Sequence, residues 1–115
     1  MRSRSSLPGQ LVQYEHPDWR PLTAILGDRL ATWFMWMHEL RLADGTAVHA
    51  YKHIVTRRAL HLDADGRAFA LRDDGTYERV PLGIAIRRLV PPRDWPPDDR
   101  RHLAELLAAA PKVTA

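Results

Sequence analysis

The residues best suited to chemistry in this chain are its histidines, of which there are six. His38, His49 and His53 fall in two neighbouring apolar-rich runs. Imidazole titrates near neutral pH and ligates zinc, so such a cluster would serve acid–base catalysis or a metal ion. If Asp44 and Gly45 form a two-residue hairpin loop, His38 faces Tyr51, Leu40 faces His49 and Trp36 faces His53. In that register the three histidines share a face with Trp36 and Tyr51, and His38 lies diagonal to His49, within reach of one ion. His49 and His53 would be about 13 Å apart along an extended strand, too far to share a ligand. A pair made of His38 and His49 alone binds weakly, so the expectation is no metal, no other cofactor, and imidazoles hydrogen-bonded at a sheet edge.

A second cluster is YKHIVTRR, residues 51–58, which gathers Tyr51, Lys52, His53, Arg57 and Arg58 between two strands. Cations beside an aromatic ring can hold phosphate while the ring stacks on a base. The outward side of the next hairpin extends this set with His61, Arg72, Tyr77 and Arg79, Arg67 lying at its turn. The competing reading is structural: Arg72 opposite Tyr77 would be a cross-strand cation–π pair, and Arg57 or Arg58 would neutralise Asp63 or cap a helix. Arg87-Arg88 and Arg100-Arg101 read as solvent-facing helix residues, balanced by Asp94, Asp98 and Asp99.

Other chemistries are excluded by what is missing. The chain has no Cys, which removes disulfides, thiolate nucleophiles and zinc–thiolate sites and fits a reducing cytoplasm, the expected compartment. Its only serines, Ser3, Ser5 and Ser6, precede the folded region, and no G-x-S-x-G elbow occurs. The glycines never cluster into a phosphate-cradling loop. DADG at 63–66 starts like a calcium loop, but Arg67 stands where an oxygen ligand belongs. No apolar run approaches the roughly 18–20 residues of a membrane helix, so no membrane association is expected. Net charge is +3, from 15 Arg and 2 Lys against 14 acids, a weak polyanion signal whose excess lies in residues 1–58.

The elements that must position these residues follow from turn signals and periodicity. Asp-Gly pairs at 44–45, 65–66 and 74–75 sit between alternating or apolar runs. They predict hairpins with type I′ turns, and hence a meander. Residues 11–15 read as a short edge strand. Pro21 with Leu22, Ile25, Leu26 and Leu30 predicts a short helix over 21–26 that Gly27 ends. Residues 81–90 are poised between helix and strand, with helix slightly preferred. Trp95, in the stiff PPRDWPP segment, is expected to plug the core. Leu103, Leu106, Leu107 and Ala110 form one apolar stripe on a final helix that ends at Pro111.

The run WFMWMH at 33–38 has large apolar side chains where a half-wet strand would alternate. Phe34, Trp36, Leu40 and Leu42 are assigned to the core, leaving Trp33, Met35 and Met37 under a helix or against another subunit. The expected fold is α+β: a curled, barrel-like antiparallel meander of about five strands with a short N-terminal helix and a C-terminal helix. Residues 1–10 are expected to form a flexible basic tail, 11–110 a single domain and 111–115 a C-terminal tail. The leading functional expectation is a non-catalytic binding module that contacts nucleic acid through Tyr51, Lys52, His53, Arg57, Arg58, His61, Arg72, Tyr77 and Arg79. The alternative is a protein-interaction or homodimerising module using Trp33, Met35 and Met37, and the third is a small histidine-dependent enzyme.

Overall fold

All three Asp-Gly pairs turn the chain, but through three residues rather than two. In each, the glycine alone has positive φ (Gly45 92°, Gly66 82°, Gly75 85°), whereas a type I′ turn would need the aspartate there too. The closing bonds repeat: Leu42 N–H to Thr46 C=O and Gly45 N–H to Leu42 C=O, then the same pattern at Asp63–Arg67 and Arg72–Thr76. This is a type I turn followed by a glycine bulge. Asp44 and Asp74 also accept from the backbone N–H of Thr46 and Thr76, at 2.9 and 3.0 Å. The added loop residue displaces the expected pairings next to the corner by one, and beyond Met37 the displacement grows to two, with Trp36 facing Tyr51 and not His53. Leu40 faces Val48 and Glu39 faces His49. In the third hairpin Phe69 faces Arg79, and Tyr77 faces Leu71 rather than Arg72.

The computed structural model describes residues 6–109, and of residues 92 and 106–109 the backbone alone. Six antiparallel strands run in sequence order: β1 Ser6–Gln13, β2 Phe34–Leu42, β3 Ala47–His53, β4 Ala59–Asp63, β5 Ala68–Leu71 and β6 Thr76–Val80. They form a closed barrel, since β1 pairs with both β2 and β6. The expected meander of five strands is thus corrected to six. The edge strand expected over 11–15 also lies earlier in the chain, as β1 takes in Ser6–Gln10, which the sequence reading assigns to a tail.

A helix α1, Arg20–Ala31, lies between β1 and β2, and it is broken at Gly27 (φ 82°, ψ 166°), where the expected helix ends. The chain then makes one further turn that buries Leu30 and Ala31. After the barrel come α2, Leu82–Leu89, a single 3-10 turn at Pro92–Asp94 and α3, Pro97–Ala109. The competing strand pattern in 81–90 yields to a helix that buries Leu82, Ile86 and Leu89 and leaves Ile84 outside. Of the stripe expected on α3, Leu103 is buried. The side chains of Leu106 and Leu107, and Ala110 altogether, lie outside the described residues.

Two cores result, one on each side of the sheet. Inside the barrel Leu40, Leu42, Val48, Phe69 and Tyr77 pack together, with Leu7 against them. Outside it, the helices bury Leu22, Leu26, Leu30, Ile86 and Leu103 against Phe34, Trp36, Tyr51, Leu60 and Leu62. Trp95 is 3% exposed in this outer layer, as its place in the sequence suggests.

Strand β2 contributes to both cores because Met37 has no partner on β3: Trp36 pairs with Tyr51 and the next pair is His38 with Ala50. Such a bulge reverses which alternate residues face inwards. Phe34 and Trp36 therefore lie under the helices, while Leu40 and Leu42 lie in the barrel. This accounts for the unbroken apolar run: both faces are covered, and the phase changes halfway.

Candidate functional site

The bulge also separates the histidines. His49, Tyr51 and His53 alternate on the helix side of β3, whereas His38 pairs with Ala50 and looks into the barrel. His38 and His49 therefore cannot share an ion. Among the described residues no group of three His, Asp or Glu side chains could hold a metal.

His49 and His53 have structural employment instead. Trp36 Nε1–H donates to His49 Nδ1 at 3.1 Å, and His49 Nε2 lies 4.0 Å from an Asp18 carboxylate oxygen. Arg20 pairs with the same aspartate at 2.7 Å, and this contact holds the Asp18 carboxyl down to about 2. The loop carrying Asp18 is thereby clamped onto β3. Tyr51 Oη–H completes the clamp by donating to the Asp18 carbonyl at 2.6 Å. His53 accepts through Nδ1 from the N–H groups of Val55 and Thr56, which shapes the turn after β3. Its ring stacks on Trp33 and meets Trp95 edge-on.

Within the barrel, His38, Ala50, His61, Phe69 and Arg79 make one continuous cross-strand row. His61 is buried with its ring edge-on to Tyr77 at 5.2 Å. Burial, and secondarily the nearby His38, push its pKa from 6.5 down to about 4.

The expected nucleic-acid residues consequently divide. Tyr51 is 0% exposed, and His53, His61 and Tyr77 are also buried, so none of these rings can stack on a base. The shift of one residue at the second and third corners puts His61 and Tyr77 on the inward face, while Tyr51 and His53 share the helix-covered face of Trp36 and Phe34. Arg72 binds Glu78 at 3.1 Å in place of the expected contact with Tyr77. Arg79 lies in the inward row and Lys52, paired with Met35, lies at the barrel end. Arg57 and Arg58 remain at the surface.

The expected interface stripe is also dispersed. Trp33 packs into the helix-side core, Met35 is 50% exposed beside Lys52 on the other face, and Met37 occupies the bulge. Before the bulge is counted, these three residues look like one row.

What the structure adds is a cavity of about 390 Å³ beside α2. It opens because β4 and β5 pair only at His61–Phe69 and Leu62–Ala68 and then part. Its walls are apolar, from Leu60, Phe69, Val80, Ala85 and Leu89, and Arg58 and Arg88 stand at it. Arg58 donates through Nη1 to the Arg88 carbonyl at 2.8 Å, at the electronegative end of α2. That bond occupies one of the five guanidinium donors.

Arg57 and Arg87 flank these two in the chain and are exposed. Among the described residues, none of Arg57, Arg58, Arg87 and Arg88 forms an ion pair, while Arg20, Arg29, Arg41, Arg67 and Arg72 all have carboxylate partners. Sequence reasoning treats Arg87-Arg88 as ordinary helix surface. The chain holds three Arg-Arg doublets, 57–58, 87–88 and 100–101, so a doublet alone does not single out Arg87-Arg88, whose proximity to Arg58 depends on tertiary structure. No family model matches the chain, and no curated protein or solved structure matches it.

Proposed function

We propose that this protein is a non-catalytic module that binds nucleic acid through Arg57, Arg58, Arg87 and Arg88 around the cavity between β4, β5 and α2. The observation that carries this reading is the meeting of two arginines, Arg58 and Arg88, at one apolar cavity, with Arg57 and Arg87 beside them in the chain. Among the described residues these four, like Arg79, Arg100 and Arg101, form no ion pair with a carboxylate, whereas Arg20, Arg29, Arg41, Arg67 and Arg72 do. Guanidinium groups without carboxylate partners match a phosphate backbone. Arg58 is also held in place by the Arg88 carbonyl, so less side-chain freedom is lost on contact.

Fluorescence anisotropy with labelled DNA and RNA oligonucleotides, at salt concentrations from about 50 to 200 mM, tests the proposal. Affinity should fall steeply with salt, and Arg88→Gln should lower the log–log slope by about one. Failure to bind at the lowest salt, or an affinity independent of salt, rejects the reading.

A further inference from the structure

We infer that the slot between β4 and β5 receives a single unstacked base, making the partner a single strand whose phosphates flank that base on Arg58 and Arg88. This inference rests on the nucleic-acid reading above and names the form of nucleic acid it requires.

The argument begins with the ladder. In an antiparallel pair, alternate residues turn both N–H and C=O towards the same neighbour. Asp63 bonds Arg67 across the β4–β5 corner, so His61 and then Ala59 point their backbone groups the same way. On the facing strand Arg72 bonds Thr76 of β6, which leaves Phe69 and Leu71 directed towards β4. Pairing nevertheless stops at His61–Phe69. Ala59 and Leu71 thus each direct an amide and a carbonyl into the gap with no ladder partner across it.

A planar, apolar ligand with hydrogen-bonding edges suits such a gap. Its walls supply hydrocarbon from Leu60, Val80 and Leu89, and its cavity of about 390 Å³ is within the usual range for small-ligand sites. Its open strand edges carry donors and acceptors. Ala59 and Ala70, being small, leave it unfilled. A base stacked within a duplex cannot reach such a slot, whereas one from a flexible strand enters at little cost. Arg58 and Arg88 at the same cavity supply the charge complementarity that selects a nucleotide over a neutral apolar molecule.

The test compares three ligands of matched length on the intact protein: a single strand, the same strand with every base removed, and the duplex. The intact strand should bind about tenfold or more tightly than the abasic strand, with the duplex close to the abasic value. Ala59→Leu, at an exposed position, should erase the difference between intact and abasic strands while leaving abasic affinity and its salt dependence unchanged. Equal, salt-dependent binding of all three ligands overturns the base slot and leaves the phosphate-binding reading standing. Absence of binding by all three removes both. Displacement of a bound strand by an anionic apolar peptide but not by mononucleotides would also overturn the inference, by giving the slot to a protein ligand.

Discussion

Replacing His61 with phenylalanine should change how stability depends on pH more than it changes stability at neutrality. His61 lies in the barrel interior, 7% exposed, with its pKa lowered to about 4. In the unfolded chain the same imidazole takes up a proton near 6.5. Below that value the unfolded state therefore binds more protons than the folded one, and stability falls as pH falls. The contribution is fully present above pH 6.5 and is lost progressively down to the folded-state value near 4. Linkage puts the loss at about 2 kcal/mol by pH 5 and about 3 kcal/mol at the acid limit. His61→Phe keeps an aromatic ring edge-on to Tyr77 but cannot take up a proton. Urea titrations of both proteins at about pH 7 and pH 5 would measure the effect, and their difference cancels His38, His53 and the carboxylates. The variant should gain about 2 kcal/mol relative to the parent between those two conditions. Parallel pH profiles would refute the reasoning, as would an NMR titration placing His61 near its ordinary pKa.

Three further outcomes follow from local geometry. Gly9→Ala would place a methyl carbon 2.6 Å from Tyr77 Cε1. Overpacking of this kind should cost about 1–3 kcal/mol in urea unfolding, and Tyr77→Leu in the same chain should recover part of it. Tyr51→Phe removes the donor to the Asp18 carbonyl and should lose about 1 kcal/mol by thermal or urea melts. Arg57 has φ 65°, unfavourable for a side chain. Arg57→Gly should therefore stabilise the fold by up to about 1 kcal/mol in the same melts while weakening oligonucleotide affinity in the anisotropy assay.

The sequence made the corners legible and their size illegible. Asp-Gly marks both a two-residue and a three-residue loop, and the choice depends on how the flanking strands twist within the closed sheet. That single residue decided whether Tyr77 would meet Arg72 or Leu71. The bulge at Met37 left no local signature, because an apolar residue suits either face of a strand covered on both sides. Helices were easier to read: Pro21 and the leucine spacing marked α1, and Gly27 marked its break. The buried place of Trp95 was legible from the proline-rich segment that holds it. The cavity was not, since it arises from the early parting of β4 from β5, and Arg58 and Arg88 meet there from segments thirty residues apart in the chain.

Met37 gives β2 a rule of arithmetic more than a rule of composition. Residues before and after it are aimed at opposite compartments, and the strand holds both only by leaving Met37 out of the ladder. Pairing it with Ala50 would rotate the far half of β2 by a half-turn, sending Leu40 and Leu42 outwards and drawing Glu39 and Arg41 into the hydrocarbon centre. Omitting it would instead bring Trp36 and His38 together as consecutive rungs opposite Tyr51 and Ala50, with both interiors still in phase.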